Sequence, residues 1–439
     1  MIVHSFHGGI HPPDNKHFTN RIPFKYLSIP QKSFIPLQQH IGKPATPVVE
    51  AGQFVEEGQL IGQANGLISA NVHATVPGKV VEIAEYHTPY SEHGLCVVIE
   101  SDGSFNTSGR VRQKNDFLTL DKEALIGKVQ SAGIVGLGGA AFPTSVKLNP
   151  PANRTIDTLI INGSECEPYL TVDDMLMRTH PEEIIEGTQI AMKILGINKA
   201  YIGIEKNKPL AIKALQTAAA NVKTHEITII PLNMRYPQGA EKQLIYAITG
   251  REVPSGGLPM DVHVVVQNVG TIYAIREAVL FDKPLIERYI TVTGKIVRKP
   301  GNYKVRFGMR VSDILEECGG LAENPSKIIM GGPMCGLALN HMDIPVVKGT
   351  SGILFLAKDE TKVTPFRSCI RCGRCVSVCP MNLMPCDLGN AAEKQRYDIA
   401  EKLHPFDCIM CGSCSYICPS KRPLSHFIKV VQTALSAKR

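Results

Sequence analysis

The chain has 439 residues, 44% of them hydrophobic and 20% charged, with a net charge of +7, which describes a globular protein of about three domains, too long for one ordinary core. No apolar run approaches the ~18 residues needed to cross a bilayer, and the start MIVHSFHGGIHPPDN lacks the charged-then-apolar layout of a secretory signal, so a soluble or peripheral protein is expected. The mild, scattered positive charge argues against nucleic-acid binding, and the 13 cysteines, an odd number mostly in metal-type spacing, call for reduced thiols in a reducing cytosol rather than a disulfide scaffold.

Residues 1 to 28 hold His4, His7, His11 and His17 among prolines and glycines with no helical period. They read as an extended arm that docks elsewhere rather than as a metal site. From 29 to 105, short runs rich in Val and Ile alternate with turn glycines such as Gly52, Gly58, Gly62 and Gly78, which predicts a small β-sandwich. This pattern resembles the biotinyl/lipoyl barrel-sandwich family. The stretch from Asn65 to Asn71 has no lysine and Lys79 falls elsewhere in the pattern, so a scaffold is expected rather than a swinging-arm carrier.

Residues 115 to 285 alternate helix-like segments (KEALIGKVQSAGIV, PEEIIEGTQIAMKILG, PLAIKALQTAAANV) with strand-like ones (TLIINGS, KAYIGIE, EITIIPL). That order predicts an open α/β sheet whose ligands bind at the carboxyl ends of the strands. Residues 286 to 345 read as a hairpin and a short helix starting near Ser312 and ended by Gly319 and Gly320. They resemble the soluble-ligand-binding β-grasp (SLBB) family, expected here as a packing module with Cys318 and Cys335 buried. The last helix, SHFIKVVQTALSAKR, places Phe427, Val431 and Leu435 on one face, suited to packing on its own domain.

The clearest chemistry lies in residues 360 to 439. CIRCGRCVSVCP and CIMCGSCSYICP are two copies of C-x2-C-x2-C-x3-C-P. In paired copies of this spacing the first three cysteines hold one 4Fe-4S cluster and the fourth ligates the other. One cluster is thus assigned to Cys369, Cys372, Cys375 and Cys418, the second to Cys408, Cys411, Cys414 and Cys379. Structural zinc would take two separated hairpins or Cys–His pairs around one tetrahedral ion. Cys386 falls outside both patterns and reads as buried or spare.

A second informative stretch is GIVGLGGAAFPTSVKL, in which Gly136, Gly138 and Gly139 let backbone N–H groups turn toward a ligand without obstruction by Cβ. Alone, it could equally be a structural turn, and it matches neither the Rossmann nor the Walker spacing. GLGGAAFPT with its downstream lysine, however, resembles the FMN loop of the NADH-oxidising subunit of respiratory complex I. LIINGSECEPYLTVDD resembles that family's acidic loop and VVVQNVGTI its segment near the flavin phosphate. Together with the HGGIHPP arm, the barrel-sandwich and the two cluster motifs, nearly the whole chain resembles the RnfC family of the Rnf electron transport complex.

The resemblance implies a multidomain α/β protein: a barrel-sandwich hybrid, a complex-I-like FMN/NADH-binding α/β domain, an SLBB module and a C-terminal dicluster 4Fe-4S ferredoxin-like helical module. It implies FMN held by Gly136, Gly138, Gly139 and Lys147, with Asn162, Ser164 and Glu165 on its polar edge and Asn268 and Thr271 near its phosphate. Phe142 would stack on the nucleotide and Glu167 would face the nicotinamide. Leu137 and Ala141 depart from the complex I loop, and Glu205 and Asn207 are the candidates for a glutamate of that family. Nicotinamide gives two electrons as a hydride and a cluster takes one, so the expected sequence is NAD(H), FMN and then two 4Fe-4S clusters. The implied setting is the cytoplasmic face of a cell membrane, as a peripheral subunit of an ion-translocating ferredoxin:NAD+ oxidoreductase reaching ferredoxin through partner subunits. A free-standing flavin-iron-sulfur reductase of a corrinoid, or a cluster-only relay scaffold, are the alternatives.

Overall fold

The computed structural model describes residues 4–103, 114–222, 226–361 and 364–438. Its centre is a four-stranded parallel sheet in the order Glu226–Leu232, Lys199–Glu205, Thr158–Asn162, Val264–Asn268. The inner strand Thr158–Asn162 is buried along all but its last residue, as its unbroken apolar run requires for a strand covered on both faces. Helices Pro181–Leu195 and Val269–Phe281 pack on each other beside it. Their contact is close because Gly187 has no Cβ, which would meet the Ile272 carbonyl at 2.4 Å. Helix Pro181–Leu195 opens with proline at its first position and ends at Gly196 with φ 68°, the usual start and stop signals.

After Thr158–Asn162 the chain adds strands on one side, then crosses to place Val264–Asn268 on the other. Asn162 and Asn268 are register partners at the carboxyl ends of the two strands. Ligands of open α/β sheets bind at such a reversal point.

The other modules surround this sheet. Lys32–Pro36, Phe54–Val55, Gly78–Thr88 and Ser91–Ser101 form one sheet of the expected sandwich, and Thr46–Pro47, Leu60–Gln63 and Val72–His73 the other. Ile35, Ile61, Val80, Val97 and Ile99 fill the space between them. The β-grasp sheet draws strands from outside 286 to 345. Lys25–Tyr26 pairs in parallel with Gly301–Arg306, while the fully buried Gly352–Leu356 lies between Glu287–Thr293 and Lys327–Met330. In the cluster module, helices Pro385–Glu393 and Leu424–Ser436 pack through Leu388, Ile428, Val431 and Leu435, with Phe427 against them. No helix among the described residues is long and apolar enough to cross a membrane.

The described part of the N-terminal arm does dock. It bridges the parallel sheet at His4–Leu232, meets Tyr236 at Ile10, and donates from the Gly9 N–H to the Val378 carbonyl at 2.9 Å. Gly8 and Gly9 have φ of 78° and 80°, and a Cβ on Gly8 would lie 2.9 Å from the Cys379 carbonyl. The paired glycines therefore allow the arm to cross a cluster-binding loop at backbone distance.

Candidate flavin and cluster sites

The glycine loop lies at the reversal point of the sheet. The Gly136 N–H donates to the Phe142 carbonyl at 2.9 Å, closing the loop, and the Leu137 N–H donates to Thr271 Oγ1 at 2.8 Å. Gly138 faces Asn268, where a Cβ would sit 2.7 Å from Nδ2. Asn268 is held in turn by donating to Asp173 at 2.7 Å and accepting from the Gly270 N–H at 2.8 Å as the cap of helix Val269–Phe281.

Beside the loop opens a cavity of about 680 Å3, within the usual range for a cofactor site. Gly138, Gly139, Asn162, Glu165, Glu167 and Asn268 line it; Gly136, Phe142, Lys147, Ser164 and Thr271 do not. Lys147 instead pairs with Glu241 at 2.7 Å. Thr271 is fully buried beneath the loop, and Ser164 is fully buried with its carbonyl accepting from Lys208 at 2.6 Å. Glu205 and Asn207 bind this same lysine, at 3.3 and 3.1 Å, rather than lining the cavity.

The acidic loop is built by mutual satisfaction of charges and backbone. Glu165, at φ 43°, accepts from the N–H groups of Asp173 and Asp174 at 2.7 and 3.3 Å, at the start of helix Val172–Thr179. Glu167 accepts from the Met334 and Cys335 N–H groups at 3.1 and 2.8 Å, which fastens the acidic loop to the β-grasp module. Burial pushes the Glu167 carboxyl above its ordinary value. Burial, then the nearby Glu165, does the same to Asp173 against the opposing Asn268 hydrogen bond.

Three buried cations secure these loops from other segments, and none stood out in the sequence. Lys16 of the arm donates to the carbonyls of Glu165, Glu167 and Leu170 at 2.9, 3.0 and 2.5 Å. Arg288 donates to the Leu137 carbonyl at 3.0 Å. Lys348 donates to the carbonyls of Asn71 and Gly133 at 2.6 and 2.7 Å, tying the barrel-sandwich to the flavin domain. Burial pushes its amine down to about 7. The isolated lysine in the apolar run IPVVKGT was a usable signal. The barrel-sandwich does more than scaffold: Gln38, His40, Gly42 and Tyr90 line the cavity.

The cysteines surround two separate spaces. Cys369, Cys372, Cys375 and Cys418 line one, and Cys379, Cys408, Cys411 and Cys414 the other, so each fourth cysteine faces the opposite copy's triad. Among the described residues no three such side chains are arranged to hold a single metal ion. Four thiols around each space suit a cubane cluster, in which each cysteine takes a separate metal corner. Cys386 is more than spare, since it lines the first space with its thiol and N–H against Cys375.

The second space adjoins the cavity beside the glycine loop. Cys335, expected to be buried, is exposed and lines that cavity. Its sulfur lies 2.9 Å from the Tyr236 hydroxyl and 3.7 Å from the Met410 carbonyl, within the second cluster loop. Ile10, Tyr236 and Cys411 pack together here with Met334 and Val378. Cys318 is fully buried, as expected.

Four family models match successive stretches of the chain. Residues 4–104 match the RnfC barrel sandwich hybrid domain, 129–277 the Nuo51 FMN-binding domain, 289–338 the SLBB domain and 368–421 the 4Fe-4S dicluster domain. A component of the proton-translocating ferredoxin:NAD+ oxidoreductase complex of Clostridium ljungdahlii is 47% identical over 435 residues, spanning 98% of this chain and 94% of the relative. The chain belongs to the RnfC family. Its counterpart in the Na+-translocating ferredoxin:NAD+ oxidoreductase complex of Acetobacterium woodii is 45% identical, over 99% of this chain and 98% of that one. Among solved structures, a chain of an NAD+-reducing NiFe-hydrogenase shares the fold at 19% identity and a TM-score of 0.51, covering 72% of this chain and 66% of the hydrogenase chain.

Proposed function

We propose that this RnfC-family chain is the NAD(H)-exchanging subunit of a membrane ion-translocating ferredoxin:NAD+ oxidoreductase, and that its own residues arrange one line of electron transfer. The observation that carries the reading is the common wall. Met334 and Cys335 are held by Glu167 on the flavin side, and Cys335 meets the second cluster loop on the other. Electrons therefore pass between the flavin cavity and the cluster of Cys379, Cys408, Cys411 and Cys414, and then the cluster of Cys369, Cys372, Cys375 and Cys418.

The cavity fits FMN: its volume is adequate, glycine at 138 leaves room that a Cβ would fill against Asn268, and amide and carboxylate groups line its edge. When bound, FMN supplies the exchange between a two-electron hydride and single electrons. Gly138, Gly139 and Asn268 bound the cofactor, Asn162 and Glu165 form its polar edge, and Glu167 faces the nicotinamide. Lys147 reaches the cofactor only by leaving Glu241. The two sets of four thiolates hold the clusters.

The chain docks from the cytoplasmic side on the membrane subunits of its complex, through which it reaches ferredoxin. The RnfC-specific domain at residues 4–104 favours this reading over a free-standing corrinoid reductase. The test is an anaerobic NADH titration of the FMN- and iron-loaded chain. Flavin bleaching followed by two reduced-cluster EPR signals, at about eight irons per chain, is the expected result. Clusters that stay oxidised while NADH bleaches the flavin would refute the line.

A further inference from the structure

The flavin cavity has one phenyl-type ring among the described residues of its wall, and that ring belongs to the barrel-sandwich. Among the described residues, Tyr90 is the only Phe, Tyr or Trp lining the space. It stands at the tip of the hairpin formed by Gly78–Thr88 and Ser91–Ser101, with 45% of its surface exposed.

The tip is held in place. Thr88 Oγ1 accepts from the N–H groups of Tyr90 and Ser91 at 3.4 and 3.1 Å, a turn that fixes where the ring leaves the backbone. The ring's far end lies beside Gly349: a Cβ there would sit 2.8 Å from the Tyr90 hydroxyl oxygen and 3.6 Å from Ala141 Cβ. Gly349 thus lets the phenol come up beside the end of the glycine loop. Phe142, expected to provide a stacking face there, does not line the cavity.

A dinucleotide carries two flat rings, of which only one can lie on the flavin. The other needs a platform of its own. We propose that Tyr90 is that platform, stacking on a ring of the nicotinamide dinucleotide, so that the nucleotide site is completed by the barrel-sandwich domain. The proposal rests on the NADH–FMN reading above. Flavin contacts come from the glycine loop and the strand ends of one domain, whereas Tyr90 reaches the space from another, which assigns it to the nucleotide rather than to FMN.

The test is anaerobic binding to the full chain loaded with FMN and both clusters, for wild type, Tyr90→Ala and Tyr90→Phe. Loss of one aromatic stack weakens NADH binding in Tyr90→Ala by about three- to tenfold, with FMN content and both cluster EPR signals unchanged. Tyr90→Phe keeps the ring and retains wild-type affinity. ADP-ribose and reduced nicotinamide mononucleotide identify the end involved: the nicotinamide ring is the one that lies on the flavin, so ADP-ribose binding should weaken in step with NADH, and a loss confined to the mononucleotide overturns the proposal. Unchanged affinity for all three ligands, or loss of FMN from Tyr90→Ala, overturns the proposal. Failure of wild-type, FMN-loaded protein to bind NADH overturns instead the reading on which it rests.

Discussion

The two cluster spaces repeat one spacing in opposite surroundings. Gly373 and Gly412 occupy the same position with φ of 73° and 74°. A Cβ on Gly373 would meet nothing within 4 Å, whereas one on Gly412 would lie 3.2 Å from the Met334 carbonyl. Around the second space, Cys379, Cys411 and Cys414 are buried and the N-terminal arm crosses the backbone at Val378 and Cys379. Around the first, Cys372 is exposed among the exposed side chains of Phe366, Arg367, Ile370, Arg371 and Arg374. Spacing therefore specifies the pattern of thiols, and neighbours distinguish the two spaces: an inner one beside the cavity of the glycine loop, and an outer one with an exposed, arginine-rich rim.

The sharpest way to break this comparison is Cys379→Ala. It should remove the second cluster alone, lowering iron from about eight to about four per chain, and NADH should then bleach flavin without reducing the first cluster. Loss of the first cluster's EPR signal instead would overturn the crossed ligand assignment. Next, Arg371→Glu with Arg374→Glu should slow electron exchange with an acidic one-electron partner by about ten- to a thousandfold at low ionic strength. Stopped-flow mixing across a salt series should show that loss fading as screening increases, with NADH bleaching unaffected.

Gly8→Ala forces a left-handed alanine against the Cys379 carbonyl, costing about 1–2 kcal/mol. Thermal unfolding should report the loss, accompanied by a changed EPR signal from the second cluster only. The smallest effect is expected from Cys386→Ser. The first cluster should remain, with its potential shifted because contacts to the cluster sulfurs tune it, while the second keeps its own. Loss of iron in this variant would make Cys386 a ligand.

The same contrast explains what could be read from the sequence. The first set of thiols comes from 50 residues, Cys369 to Cys418, and the second from 36, Cys379 to Cys414; three of every four lie on one short loop, so spacing alone contains the answer. The flavin cavity instead closes from distant segments. The glycine and acidic loops were legible because glycine and carboxylate chemistry is local. Tyr90 and Arg288 were not, because their role exists only once other domains bring the loop and its carbonyls to them; Lys348 could be noticed as a lone lysine in an apolar run, but its partners could not. Lys147 shows the opposite error: it is near the loop in sequence, yet the short helix Thr144–Leu148 carries it to Glu241. The α/β sheet itself was readable from apolar runs alternating with helices, whereas two strands of the β-grasp sheet, Lys25–Tyr26 at its edge and Gly352–Leu356 inside it, come from segments beyond its local pattern.

The docked arm also bears on how the molecule is made. Gly9 meets Val378 across nearly the whole length of the chain, so the entropy of closing that loop must be met before the contact can stabilise anything. Because the arm's partners at Leu232, Tyr236 and Val378 belong to the parallel sheet, the segment after it and the second cluster loop, its docking is expected to follow their folding. Limited proteolysis of the arm during iron reconstitution checks this: cleavage that does not change with iron would mean that docking is independent of the second cluster.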